Sequence, residues 1–297
     1  MSLVSLVEIQ GKQIKQAIID SLKLIDYTFP PNARNIVIKP NMCYYWDYST
    51  GCTTDPKFVA SLIDILREQI SSKVKISLVE SDASAMKCKY AFKMLGYEDL
   101  AQQYNVSLVN LCNEKSDKAT TKVGKKTVTL EVPQIITNAD LKINVTKIKY
   151  SMEKIKVTCA MKNIFGCIAY PRKYRYHPIL SEVIVAANKL MKFDLCLVDG
   201  DIAKGVGTRK MGLGMASTNQ VALVAVASKI AGVNPKSIRY LQLASREGLG
   251  KIGFTTKGLP WEYFAPKFPR KGVKEQFFSK AFEIVHELHL ERRLMLD

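Results

Sequence analysis

Asn35-Ile36-Val37-Ile38-Lys39-Pro40, followed by Thr53-Thr54-Asp55-Pro56, decides how the chain is read. The first run is apolar and β-branched and ends at a proline, so it reads as a buried strand. The second opens a helix: Asp55 caps, Pro56 fits the first turn, and Phe58, Leu62, Ile65 and Leu66 follow at helical spacing. The alternation then recurs. Val74-Lys75-Ile76-Ser77-Leu78-Val79 is a second strand whose end carries Glu80, Ser81 and Asp82, and helical material around 86–104 leads to Val106-Ser107-Leu108-Val109-Asn110. Leu141-Lys142-Ile143-Asn144-Val145 and Leu195-Cys196-Leu197-Val198 continue the series. Strands alternating with helices predict an α/β fold: mostly parallel sheet covered by helices, in two lobes around one cleft.

Other stretches vary the pattern. Lys122 to Thr129 reads as a hairpin turning at Gly124. A helix is expected at about 178–191, with Pro178 at its start. Residues 218–231 are apolar nearly all round and predict a buried helix; another helix is expected over 235–246. Beyond Gly258 the composition turns aromatic and basic (Trp261, Tyr263, Phe264, Phe268), and an amphipathic helix is expected from about 273 to 293. The expected division is therefore an α/β domain over 1–258, with a lobe boundary near 110–150, and a C-terminal segment over 259–297.

At 297 residues, 47% hydrophobic and 24% charged, the composition is that of an ordinary globular protein. The net charge of +17 is unusual and favours anionic partners, whether small metabolites, nucleic acid or an acidic protein. The N-terminal MSLVSLVEIQ reads as a strand and not as a signal peptide. No apolar run approaches the ~20 residues that span a bilayer. Seven cysteines without a CxxC pair argue against a disulfide framework, a zinc ribbon and a ferredoxin-type cluster, and fit reduced thiols in the cytoplasm.

The densest chemistry lies between Asn144 and His177, where eight Lys/Arg face one acidic residue, Glu153. These cations are interleaved with Ile, Val, Met, Phe and Tyr, and a cation next to apolar surface is costly unless an anion meets it. Lys147 and Lys149 are candidate binders of carboxylate or phosphate. Lys162, before the Asn163-Ile164-Phe165-Gly166 turn, is a candidate base or nucleophile. His177, in a run with Arg172, Lys173 and Arg175, is kept neutral by its neighbours and is a candidate general base. Lys39, Asn41 and Thr54 stand at strand or helix ends, on the side where open α/β sheets bind ligands. Glu80 and Asp82 share that edge. Asp199 ends a strand ahead of Gly205 to Gly214, expected to be a Gly-rich basic loop in which Arg209 and Lys210 help cradle phosphate. The histidines at 286 and 289 miss the HExxH zinc pattern because position 290 is Leu, and no metal ligand set is assigned.

Val37-Ile38-Lys39-Pro40-Asn41, Thr53-Thr54-Asp55-Pro56, Lys162-Asn163-Ile164-Phe165-Gly166, Leu197-Val198-Asp199-Gly200 and Arg209-Lys210-Met211-Gly212 stand in the order of a known family. Over residues 5–255 the chain resembles the family catalogued as domain of unknown function 362. The resemblance implies Asn163 and Asp199 as site residues beside the lysines. Members of that family are often joined to iron–sulfur segments; this chain carries no such motif. The family's Lys-x-Lys-x-His motif is Lys147-Ile148-Lys149-Tyr150-Ser151 here, and its buried-helix Asp is Val224. A fainter resemblance is to lactate racemases that use a nickel pincer nucleotide, whose His, Lys and His would correspond to Tyr150, Lys162 and His177. Without the first histidine and the Ser-Gly-Gly run, the sequence argues against that cofactor.

Together these features predict an enzyme acting on a small carboxylate or phosphate by proton transfer or isomerisation, with Lys162 and His177 as acid and base. Lys39, Asn41, Thr54, Lys147, Lys149, Asn163, Arg175, Asp199, Arg209 and Lys210 are the expected substrate contacts. Two other classes fit the composition: a redox accessory protein beside an iron–sulfur partner, and a basic nucleic-acid binder.

Overall fold

The computed structural model describes residues 2–9, 13–150 and 155–270. The helix expected over 273–293, with the rest of the C-terminal segment beyond 270, lies outside the described residues. The first half of the chain forms β1 (Ser2–Glu8), α1 (Ile14–Leu24), β2 (Asn35–Pro40), α2 (Pro56–Gln69), β3 (Lys75–Glu80), α3 (Cys88–Met94), α4 (Tyr97–Gln103) and β4 (Ser107–Asn110). Then come β5 (Ser116–Val123), β6 (Lys126–Pro133), α5 (Gln134–Thr137), β7 (Leu141–Thr146), β8 (Lys149–Tyr150), β9 (Val157–Thr158), α6 (Ala160–Ile164) and α7 (Leu180–Leu190). The rest is β10 (Leu195–Lys204), β11 (Thr208–Ser217), α8 (Gln220–Ile230), α9 (Arg239–Arg246), β12 (Phe254–Gly258) and α10 (Trp261–Phe264).

Ten strands make one mixed sheet in the order β12-β1-β11-β10-β7-β2-β3-β4, with β8 beside the end of β10 and β9 beside β8. From β10 to β4 every neighbour along this path is parallel. The chain builds β2, β3 and β4 outward in one direction, then returns to place β7 and β10 on the other side of β2. The β2/β7 seam is thus a topological switch point, where the strand ends open a crevice.

Alternation along the strands feeds two cores. Ile36 and Ile38 of β2 join α1, α2, α3 and α4 on one face, while Val37 points to the face covered by α6, α7, α8 and α9. The helix read as buried, α8, has every residue from Val221 to Ser228 buried, because it lies between the sheet and α6, α9 and α10. The β5–β6 hairpin turns at Gly124 as expected and packs on α7 as a separate two-stranded sheet. The region 110–150, where a lobe boundary was expected, holds this hairpin and β7.

Three boundaries differ from expectation. The helical stretch 86–104 is two helices, broken where Gly96 adopts φ 76°. Pro178 lies inside a 3-10 turn, Lys173–Ile179, and α7 begins at Leu180. The strand at 195 runs on to Lys204, and the expected Gly-rich loop is an antiparallel hairpin, β10–β11. Its backbone N–H groups serve the ladder, and at the turn Gly205 donates to the Gly207 carbonyl and Val206 to that of Pro269, so the phosphate cradle is not formed. Among the described residues, no helix is long and apolar enough to cross a membrane.

Glu182, at the start of α7, ties three elements together. Its carboxylate accepts from Arg239 of α9 at 2.8 Å and lies 3.4 Å from Lys126 of β6. Burial pushes its carboxyl up, but the Arg239 hydrogen bond, its own backbone and Lys126 pull it further down, below the ordinary 4.5. A depressed carboxylate stabilises the fold above its unfolded value and loses that contribution as pH falls through the folded one. Glu182→Gln should therefore cost ~1–2 kcal/mol at neutral pH. In denaturant titrations, the gap to the native protein should close as pH drops below 4.5.

Candidate functional site

The C-terminal ends of β2, β3, β7 and β10 meet at one edge, and the sequence loads that edge with charge. Lys39 is 1% exposed. Its ammonium donates to Glu80 at 2.7 Å, to the Pro40 carbonyl at 2.6 Å and to Asn163 Oδ1 at 3.4 Å. Lys147, equally buried, lies 3.1 Å from Asp199. The second oxygen-facing partner of Asp199 is the backbone N–H of Asp55, 2.8 Å away. The N-terminus of α2 is therefore met by a carboxylate of the chain itself, while Asp55 caps the N–H of Lys57.

Asn163 is the hub beside the Lys39–Glu80 pair. Its amide donates to Asn144 Oδ1 at 2.8 Å and to the Lys39 carbonyl at 3.2 Å, and accepts from Asn41 Nδ2 at 3.0 Å. Asn41 Oδ1 in turn accepts from Lys149 at 2.7 Å, and Thr54 Oγ1 bridges the Asn41 N–H and the Val145 carbonyl at 2.9 and 3.1 Å. Lys39, Asn41, Thr54, Lys149 and Asn163 thus belong to one network, and the Lys147–Asp199 pair adjoins it through the Asp55 N–H, next in the chain to Thr54. The turn that follows α6 lies close against it, and residue 166 in that turn is glycine. A Cβ there would stand 3.0 Å from Lys39 Cε and 3.2 Å from a Glu80 oxygen.

Lys149 is half-buried, and its ammonium is held by neutral oxygens: Asn41 Oδ1 and, at 3.0 Å, the Cys52 carbonyl. Lys162 is half-buried with its ammonium 4.1 Å above the Phe165 ring. Both act electrostatically on the Cys43 thiol, so they face one region of the rim.

The residue that sequence reasoning missed is Lys173. It is 6% exposed and donates to Ser81 Oγ and, at 2.6 Å, to the Asp82 carbonyl. Burial lowers its pKa below the usual lysine value, against the pull of Glu80. The nearby Asp82 carboxylate is committed elsewhere, to Lys87, the Cys88 N–H and Asn110. Nothing in Arg172-Lys173-Tyr174-Arg175 marks one cation as buried; the signal is Ser81, which binds Lys173 and also donates to the Gly166 carbonyl.

Other expected residues lie elsewhere. His177 is exposed, its ring 4.5 Å from that of Tyr174. Arg175 is exposed and stacks over Tyr170 and Tyr176 at 4.8 and 5.7 Å. Arg209 is exposed on β11 and bonds the Pro266 carbonyl; with Lys210 and Lys267 it lines a separate cavity of about 320 Å³. The positions corresponding to a nickel pincer site present the Tyr150 phenol, the Lys162 amine and an exposed imidazole stacked on Tyr174, a set that does not fit nickel ligation.

The family model described as Domain of unknown function (DUF362) matches residues 36–229. No curated protein matches the sequence. Two solved structures show faint likeness, each at 10% identity. One is the lactate racemase apoprotein from Thermoanaerobacterium thermosaccharolyticum, with TM-score 0.46 over 78% of this chain and 58% of that one. The other is a structural-genomics protein from Thermotoga maritima, with TM-score 0.40 over 81% of this chain and 60% of that one. The chain thus spans less than two thirds of either, and nothing about chemistry follows from likeness this distant.

The Lys39–Glu80 pair gives a direct test of the network. Lys39→Met leaves a carboxylate buried without its partner and should cost ~3–5 kcal/mol in chemical denaturation. Adding Glu80→Gln should recover a substantial part of that loss, because the stranded charge is then removed.

Proposed function

We propose the following for this chain, which belongs to the family described as domain of unknown function (DUF362): it is an enzyme that binds a small carboxylate or phosphate at the β2/β7 seam and moves a proton on it. The observation that carries the reading is a pair of lysines, Lys149 and Lys173, withdrawn from solvent and held by neutral oxygens at the ligand-binding edge of a parallel sheet. A withdrawn ammonium held only by dipoles gains most from an incoming anion. Lys39 and Lys147, by contrast, are matched by Glu80 and Asp199, and in this reading hold the crevice in shape.

In this proposal Lys149 and Asn41 orient the anionic group, with Thr54 and Asn163 fixing Asn41. An amine takes the proton. Lys173 is suited because burial lowers its pKa, so a larger share is neutral at a given pH. Lys162, on the same α6–Gly166 segment that touches Ser81, is the second proton carrier, and His177, four residues beyond Lys173, exchanges protons with solvent at the rim. Arg175, Arg209 and Lys210 draw anions toward the protein through the long-range field. The protein would work in the cytoplasm, where its thiols stay reduced.

The reading is tested by exchange in D2O. Small carboxylates and phosphates bearing an acidic C–H should lose that proton signal by NMR in the presence of the protein, and the same compounds should raise its melting temperature beyond ionic-strength controls. Lys162→Ala and Lys173→Ala should each slow exchange by ~100-fold or more, the scale for losing a general acid or base. His177→Ala is expected to act in the same direction. The rate should rise with pH through the lowered Lys173 value, below the ordinary 10.5. The absence of both exchange and anion stabilisation across the panel would refute the proposal.

A further inference from the structure

Eight large apolar side chains are exposed among the described residues, and six of them belong to three segments that converge on one short turn. The turn is Ala83–Met86, closed by reciprocal backbone hydrogen bonds at 2.8 and 3.2 Å. At its end the Tyr45 hydroxyl accepts from the Lys87 N–H at 3.0 Å and anchors the loop after β2, which presents Tyr44 and Trp46 at 46% and 51% exposure. At its tip Ser84 Oγ accepts from the Tyr174 N–H at 3.2 Å and anchors the 3-10 turn Lys173–Ile179, in which Tyr174 is 71% exposed. The third segment, α3, leaves the turn directly and adds Tyr90 and Met94, both exposed. Ser84 and Lys87 are close in the chain, so no more than ~11 Å separates the two anchors.

The rings are held in pairs. Tyr44 and Trp46 pack with centroids 5.1 Å apart, and Tyr174 lies over His177 at 4.5 Å. The loop of the first pair is pinned by the fold. Thr53 Oγ1 donates to the Trp46 carbonyl at 2.6 Å and accepts from the Cys43 N–H at 3.3 Å, closing the loop at its base. The Thr208 hydroxyl donates to the Thr50 carbonyl at 3.1 Å, and a Cβ on Gly51 would come within 2.8 Å of the Ala203 backbone, so the far end rests on the β10–β11 hairpin. Inside this loop Tyr44 adopts φ 53°, a left-handed conformation that is costly for a bulky residue. The chain holds that conformation while leaving the ring half in water, so burial within the protein does not offset its cost. Contact with a partner would.

Cations alternate with the rings. Lys87, Lys89 and Lys93 are exposed on and before α3, and Arg172 and Arg175 are exposed on either side of Tyr174. Neither α3 nor the 3-10 turn contains an acidic residue. The carboxylates of the two anchoring loops are engaged: Asp82 with Lys87, the Cys88 N–H and Asn110, and Asp47 with the Ser49 N–H. We propose that this surface binds single-stranded nucleic acid, with bases stacked on the Tyr44–Trp46 and Tyr174–His177 pairs and phosphates met by the cations of α3 and the 3-10 turn. The cations attract any polyanion, and the rings choose among them. A duplex keeps its bases stacked on one another, and an acidic polypeptide brings charge without a planar group for each ring. Base stacking needs no proton carrier, so the surface stands or falls separately from the reaction proposed for the crevice.

The test uses the full chain and labelled strands of about 12 nucleotides, RNA and DNA of one pyrimidine sequence, followed by fluorescence anisotropy. Trp46 and Trp261 are the two tryptophans, so in Trp261→Phe the intrinsic emission reports Trp46 alone. Expected are quenching of Trp46 on binding, affinity that falls steeply with added salt, and at least ~10-fold weaker binding of an abasic strand of equal charge and of the matching duplex. Binding in either the RNA or the DNA arm supports the proposal, and their ratio tells which is preferred. Trp46→Leu and Tyr174→Leu should each weaken binding by ~5- to 100-fold, the scale of one lost base–aromatic stack, while Lys89→Gln with Lys93→Gln should flatten the salt dependence. Equal binding of the abasic strand or of polyglutamate would overturn the proposal, because charge alone would then account for it. So would absence of binding in both arms, or an unchanged Trp46 signal at saturation. Should a variant fail to fold, the base-bearing and abasic strands compared on the native protein decide alone.

Discussion

An ammonium buried to 1% exposure, Lys39 at the end of a parallel strand, is the constraint on which this edge of the molecule depends. Such a charge is tolerable only where every donor finds an acceptor. Three come to it from different parts of the chain: Glu80 from β3, the adjacent Pro40 carbonyl, and Asn163 from α6. Asn163 in turn fixes Asn41 and reaches Asn144 of β7. The ion pair and the amide hub therefore lock the switch point of the sheet, and with it the spacing between β2 and the segment carrying Lys162. Gly166 completes the arrangement, because a Cβ there would crowd the Lys39–Glu80 pair, standing 3.0 Å from Lys39 Cε and 3.2 Å from a Glu80 oxygen.

Much of this could be read from the residues. Asn35 to Pro40 and Thr53 to Pro56 announced β2 and the cap of α2, since apolar period and capping chemistry are local properties. The uniform apolarity of 218–231 announced a helix with no solvent face. What failed were features decided by distant partners. Gly205 to Gly214 has the composition of a flexible basic loop, yet β10 and β1 flank it, and pairing with both overrides its glycines. The break at Gly96 likewise escaped, because the apolar period resumes across it.

The site was legible as an edge, not as an assembly. Lys39, Asn41, Thr54, Lys147, Lys149, Asn163 and Asp199 could be placed together because parallel strands share one C-terminal edge. Which lysine meets a carboxylate and which meets neutral oxygens could not be read, since Lys147 and Lys149 are two residues apart and differ only in what lies opposite. Asp199 of β10 meets the first; Asn41 and the Cys52 carbonyl meet the second. Lys173 shows the same limit. Arg172, Tyr174 and Arg175 are exposed, and only the Ser81 hydroxyl and the Asp82 carbonyl, two β–α units earlier, draw it inside.

That partition bears on how the net charge of +17 is to be understood. Exposed cations such as Arg175, Arg209 and Lys210 contribute to a field that reaches about a Debye length, roughly 8 Å at physiological salt, and is screened beyond it. They raise encounter rates with anions of any kind and choose none of them. Discrimination has to come from cations already removed from water, where a partner's charge is felt at low dielectric and misplacement is costly. Lys149 and Lys173 meet that condition with their geometry fixed by neutral oxygens, and Lys39 and Lys147 do not, because their carboxylates already satisfy them. The few lysines left short of a negative partner, not the many on the surface, make the crevice selective.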